Sequence, residues 1–460
     1  MRLTFQRHHA RCGNCVGCLV IFLLSLPCLA QTAPQATASG QPAAPQVIPL
    51  QEAIRRAQAN EPNFATASAE AKATALDRSI SRAALLPNAV YHNQFLYTQG
   101  NGIGTTRAAD GTVTPAPPIF IANNAVHEYM SQAAVTETIG LKGIADVRLA
   151  DATAARAAAE YEVARRGLVA TVVELYYSLT ASEHKVAVAE RAENEAASFT
   201  DLTGKREAAR EVAHADVVKA ELLQQQRERD LADAKLAADR ARLELGVLLF
   251  PDPRTSYVTE STPLPAMPSR TDVEAQAAAH NPELKSALAA VHMSDAEVLG
   301  ARAAYLPDLA LNFNYGIDAA QFAVNGANGV NNLGYSASAT VDIPVWDWLA
   351  TPHRVKQTEI RRNAARVALT ATQRHLIAAL DEVYAEAAEA QRQAASLDLS
   401  ATTAAESLRL TKMRYTAGEA TVLEVVDAQT ALTTAENARE DGVVRYETGL
   451  ANLQTLTGTL

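Results

Sequence analysis

The sequence predicts a mostly α-helical chain with transmembrane β-strands, built as a tandem repeat of helix, β-hairpin and paired long helices. Three observations carry this prediction. A six-residue phrase occurs twice, as RAALLP at 82–87 and RAAYLP at 302–307; the hydrophobic period changes from helical to twofold after each copy; and alanine-rich stretches with one apolar stripe fill most of the rest. Composition agrees: 48% of the 460 residues are hydrophobic but only 5% are aromatic, which suits long, closely packed helices better than a thick globular core.

The chain opens on an export signal at 1–30. Arg2, Arg7 and Arg11 form a positive start, Val16 to Leu26 an apolar run, and Cys28-Leu29-Ala30 a small-residue cleavage site. Cleavage after Ala30 removes three arginines and no acid, so the net charge goes from −10 to −13, which argues against a nucleic-acid partner. Cys12, Cys15, Cys18 and Cys28 all lie in this segment, so their spacing is not read as an iron–sulfur or zinc site. Lipidation of Cys28 is the alternative fate, but Pro27 before it and the placing of Leu26 fit a lipidation box poorly. Residues 31–49, rich in Pro, Ala, Gln and Thr, read as a tether. No later stretch has the 18 or so consecutive apolar residues of a transmembrane helix.

The first repeat spans 50–255, a linker 256–270, and the second repeat 271–460. An offset of 220 lays Ala57, Ala59, Pro62, Ala67, Ala69, Arg82 and Pro87 on Ala277, Ala279, Pro282, Ala287, Ala289, Arg302 and Pro307. The first proline of each pair opens a helix, with Asn60 and Asn281 as cap candidates, and Pro87 and Pro307 close it. Hairpins follow at about 88–140 and 308–345. In the second, Leu309, Leu311, Phe313, Tyr315 and Ile317 alternate with small or polar residues, and Tyr335, Ala337, Ala339, Val341 and Ile343 do so on the return strand. The first is less regular, with Tyr91, Phe95, Tyr97, Tyr129, Ala133 and Val135 around a Gly/Pro-rich loop at 100–118. Such alternation also fits a half-buried antiparallel sheet. Strands of about ten residues in an exported chain favour a membrane-crossing barrel. Since four strands fall short of the roughly eight that a barrel needs, the barrel must be shared between chains.

Long helices fill about 145–249 and 353–457. Leu168, Val172, Leu175, Tyr176 and Leu179 form one apolar stripe, repeated at an offset of 208 by Leu376, Leu380, Val383, Tyr384 and Ala387. The longer stretches reach on the order of 80 Å. No catalytic, cofactor or metal motif stands out: His184, His214, His280, His292, His353 and His375 never fall at helical metal-pair spacing, and neither a G-x-S-x-G elbow nor a P-loop is present. An enzymatic role is therefore not expected, and any energy for transport must come from a partner.

At this point the sequence resembles the TolC-like outer-membrane efflux proteins. The resemblance rests on RYTAGEATVLEVVDAQTAL at 414–432, where Tyr415, Gly418, Leu423, Ala428 and Leu432 match the family's turn, on Pro62, Pro87, Pro282 and Pro307, and on the closing LQTLTG. It implies a homotrimer with a twelve-stranded β-barrel and an α-helical coiled-coil tunnel, set in the cell outer membrane with its tunnel in the periplasm. It implies a passive exit duct that meets a periplasmic adaptor, the membrane fusion protein, and through it an inner-membrane pump. Outer-membrane lipid would lie against Leu309, Leu311, Phe313, Tyr315, Tyr335 and Val341. At the periplasmic tip the family's gate acids fall on Glu424 and Asp427, which are read either as that gate or as ordinary charges at a helix N-terminus. Adaptor contacts fall on Tyr415, Ala417, Gly418 and Glu419. Two departures stand out: Ala420 replaces a basic latch residue of some members, and Arg210 stands in the first repeat where Gly418 stands in the second, so the two docking grooves are expected to differ. A periplasmic coiled-coil scaffold without a pore is the alternative reading, and whether drug, metal or protein is exported stays open.

Overall fold

The computed structural model of the protein describes residues 46–97, 105–115, 127–260, 265–326, 329 and 331–458. The export signal with its cysteines, most of the tether and part of the first hairpin's loop lie outside the described residues. In chain order the elements are β1 (Gln46–Ile48), α1 (Leu50–Asn60), α2 (Pro62–Ala83), β2 (Asn88–Tyr97), β3 (Thr105–Arg107), β4 (Val113–Pro115), β5 (His127–Ile139), α3 (Leu141–Ala208), α4 (His214–Leu249), β6 (Tyr257–Thr259), α5 (Arg270–His280), α6 (Pro282–Ala303), β7 (Asp308–Ala319), β8 (Leu333–Asp342), α7 (Ala350–Thr416) and α8 (Val422–Thr457).

Pro62 and Pro282 each occupy the first turn of a helix, where a missing N–H costs nothing. Asn281 caps α6 by accepting from the Leu284 amide at 2.8 Å. The expectation for Asn60 is corrected: Glu61 caps α2, accepting from the Phe64 amide at 2.5 Å. Asn60 instead donates to the Leu249 carbonyl at 2.9 Å, and Asn281 likewise donates to the Leu456 carbonyl at 3.2 Å. Each asparagine thus ties the short-helix junction of its repeat to a C-terminal carbonyl of that repeat's last helix.

The long helices outrun the expected stretches. α3 has 68 residues and α7 has 67, about 100 Å each. Their halves have different neighbours. Toward the sheet, α2, α3, α6 and α7 lie side by side in that order; toward the other end, α4, α3, α8 and α7 do. Packing depends on small residues. On α8, a Cβ at Gly449 would stand 3.3 Å from the Ala387 Cα of α7, and one at Gly442 would stand 3.7 Å from the Ala394 Cα and 2.7 Å from a Leu397 methyl. Both pairs repeat at seven residues, the interval of a close coiled-coil seam.

Strands β2, β5, β7 and β8 form one antiparallel sheet in that order, in which the first repeat's hairpin joins the second's through β5 and β7. The tether and linker assignments need revision at their ends. Gln46–Ile48 and Tyr257–Thr259 pair as parallel strands. The Tyr176 hydroxyl fastens them, donating to the Ile48 carbonyl at 2.9 Å and accepting from the Glu260 amide at 2.7 Å. Three-residue strands carry too little periodicity to be read from sequence. Within the loop expected at 100–118, β3 and β4 pair as a small hairpin, whose turn holds Gly111 at φ 88°.

Candidate functional site

Two regions could act on something outside the chain: the sheet and the far end of the long helices. Strand register puts Leu309, Leu311, Phe313 and Tyr315 beside Val341, Ala339, Ala337 and Tyr335. On the other side Phe313 and Tyr315 meet Val135 and Ala133, and β2 adds Tyr91 and Phe95 on the same face. Leu311, Phe313, Tyr315, Tyr335 and Val341 are exposed, Tyr335 at 77%, while Leu309 is half-buried. The opposite face carries His92, Gln94, Gln132, Thr136, Asn312, Asn314, Ser336, Ser338 and Thr340, because neighbours in a strand point to opposite sides. Pro87 and Pro307 immediately precede β2 and β7. The outer edges of the sheet, on β2 and β8, have no strand beside them among the described residues.

At the other end, α3 and α7 finish in the same turn. Arg210 donates its amide to Glu207 O and Glu211 to Arg206 O, as Gly418 does to Tyr415 O and Glu419 to Arg414 O. This is a Schellman ending, whose residue past the cap must take a left-handed conformation. Gly418 does so at φ 81° and Arg210 at φ 63°, so the arginine adopts the backbone that glycine adopts in the second repeat. The two turns therefore differ in side chain rather than in path.

Tyr415 lies inside the tip. At 3% exposure it packs with Phe199, Ala220, Val422 and Val425, its ring centroid 5.2 Å from that of Phe199. Tyr415, expected on an adaptor-docking surface, is thus buried, whereas Ala417, Gly418 and Glu419 of the same turn are exposed. Arg206 closes over Tyr415, with its guanidinium 4.7 Å from the ring centre and Nη1 donating to the Tyr415 carbonyl at 2.6 Å. Glu424 forms a capping box with Thr421: each accepts from the other's backbone amide, at 3.1 and 3.3 Å. The Thr421 amide on its carboxylate, followed by the nearby Arg414 at 3.2 Å, holds Glu424 below the usual carboxylate range. Asp427, one turn on, is exposed.

Solved structures with the same arrangement were found across most of the chain. The Campylobacter jejuni CmeC outer membrane channel superposes with a TM-score of 0.71 at 16% identity, over 89% of this chain and 85% of that one. The outer membrane protein VceC of Vibrio cholerae gives 0.72 at 17%, over 89% and 96%. Residues 274–459 match the family model described as outer membrane efflux protein. The fold is that of the TolC-like outer-membrane efflux proteins. A 172-residue stretch, 37% of this chain, is 24% identical to outer membrane protein OprJ of Pseudomonas aeruginosa and spans 36% of that relative's length.

Within this efflux-protein fold, several tip and seam residues escaped sequence reasoning. Arg206 is one; the 208-residue offset lays it on Arg414, and that pairing is the signal that could have found it. Others join α3 to α8: His184 to Glu440 at 2.8 Å, Lys185 to Asp441 at 2.5 Å and Arg191 to Glu436 at 3.0 Å. Burial would raise Glu440, but hydrogen bonds from His184 and Arg439 hold it below its ordinary value. Arg166, buried on α3, donates to the carbonyls of His280 at 3.3 Å and Gly458 at 3.4 Å, gathering the ends of α5 and α8.

Proposed function

We propose that this protein is the outer-membrane exit duct of a tripartite efflux or secretion system. The observation that carries the reading is the four-stranded sheet, with one apolar exposed face, one polar face and two edges that have no strand beside them among the described residues, mounted on helices about 100 Å long. A free strand edge cannot stand in hydrocarbon, since its N–H and C=O groups would lack partners. Three copies joined edge to edge, β8 of one to β2 of the next, give a closed twelve-stranded barrel, and the helices continue it as a periplasmic tunnel. The apolar residues Leu309, Leu311, Phe313, Tyr315, Tyr335 and Val341 then face lipid, and the polar face lines the lumen.

In this reading the duct is passive. It docks a periplasmic adaptor through Ala417, Gly418 and Glu419, and the adaptor brings it to an inner-membrane pump. Asp427 and Glu424 ring the axis at the tip and gate it, although Glu424 also caps α8, so the free charge of the ring comes mainly from Asp427. The test is conductance in planar bilayers. Wild-type protein should form cation-preferring pores blocked by multivalent cations, and Asp427→Asn, which leaves the cap intact, should weaken the block. Pores with unchanged block would remove Asp427 from the gate. A chain that forms no pore and washes off outer membranes in carbonate would instead be a periplasmic scaffold.

A further inference from the structure

Glu137 interrupts the apolar face of the sheet. Alternation along β5 puts it on the side of Val135 and Ile139, and register sets it beside Leu311 as Val135 is set beside Phe313. The next strand offers only Ala339 and Ala337 at these levels. The small residues leave a groove of about 490 Å³ that Val135, Glu137, Leu311 and Phe313 wall in. One oxygen of the Glu137 carboxylate, Oε2, is closed off from solvent and has no hydrogen-bond partner among the described residues. A carboxylate oxygen so placed is costly unless a donor reaches it.

We propose that this groove holds an acyl chain of an aminophospholipid whose headgroup ammonium donates to Glu137; the proposal rests on the reading that this face meets lipid. Chemistry favours that occupant in two ways. The groove is mainly apolar, with Glu137 as its one carboxylate and Asn312 and Ser338 also in its lining, which suits a ligand joining a hydrocarbon chain to a cationic N–H donor. Glu137 also stands two residues from the helical end of β5 at Ile139, about 7 Å along the strand, so a headgroup at the membrane interface can reach it. The groove lies over β5 and β7 and reaches Ala337 and Ala339 on the edge strand β8.

The test is native mass spectrometry of full-length protein taken from vesicles that contain equal amounts of ethanolamine and choline phospholipid. The ammonium of the first donates hydrogen bonds and the quaternary amine of the second cannot. Wild-type protein should retain the ethanolamine lipid in preference by about tenfold, the ratio that one charge-assisted hydrogen bond supplies. Glu137→Gln should bring the ratio close to one, and Ala339→Phe, which fills the groove, should lower retention of both lipids. Equal retention by the wild type, or a ratio that Glu137→Gln leaves unchanged, would overturn the proposal while the membrane reading stands. Protein that carbonate strips from the vesicles would overturn both.

Discussion

Glu447 on α8 faces Tyr177 of α3 at 4% exposure, and burial pushes its carboxyl from the ordinary 4.5 up to about 7 against a hydrogen bond from Tyr177. A raised pKa means that the folded state holds the proton more tightly than the unfolded chain does. The protonated group's contribution is therefore complete below about pH 4.5 and is lost as pH rises to about 7. Its size is on the order of 3 kcal/mol at most. Urea unfolding should show wild-type stability falling between pH 5 and 7.5, with the fall reduced in Glu447→Gln; identical slopes would remove Glu447 as the source of the dependence. The two asparagines make a second comparison. Asn281 both caps α6 and ties the end of α8, whereas Asn60 only ties α4. Asn281→Ala should therefore cost about 1 kcal/mol more than Asn60→Ala, the worth of one N-cap. Sequence offered the two as equivalent caps. What separates them is which residue, Glu61 or Asn281, directly precedes the proline.

Among the elements, the α7–α8 pair shows most clearly how small residues set geometry. Gly449→Ala would gain about 1 kcal/mol of helix propensity but places a methyl 3.3 Å from the Ala387 Cα, so the two effects nearly cancel. Gly449→Val adds branching against that backbone, and overpacking of about 1–3 kcal/mol should win. Thermal unfolding should show Gly449→Val well below wild type and Gly449→Ala close to it. The long helices were legible because their apolar stripes run for many turns. Their extra length was not, since the last turns of α3 and α7 depend on Schellman endings that sequence marks only at Gly418; Arg210 hides the first. β1 and β6 were hidden for a related reason: each is held by Tyr176, a residue far away in sequence.

For the whole molecule, the edges of β2 and β8, which have no strand beside them among the described residues, are what the proposed three-copy barrel rests on. Since all four cysteines lie in residues 1–30, the processed chain would carry none, and introduced pairs would report cleanly. A scan placing one cysteine on β2, at Ala89, Tyr91 or Phe95, and one on β8, at Tyr335, Ala337 or Ala339, should give disulfide-linked ladders ending at three chains on non-reducing gels. Ladders ending at two, or crosslinks confined to single chains, would rule out a three-copy barrel. Packing of α3 against α6 and α8, with ion pairs between α3 and α8, joins the first repeat to the second.

The duplication, the strand faces and the helical stripes were set by sequence alone, because each is a periodicity and periodicity survives in one dimension. So was the resemblance in the 414–432 turn, which a short local motif carries. Tertiary structure alone decided that Tyr415 is interior, that Arg206 reaches across the tip, and that Glu137 stands in a mainly apolar groove. Each of these depends on which residue of a distant element lies opposite, and neither composition nor spacing along one segment contains that information.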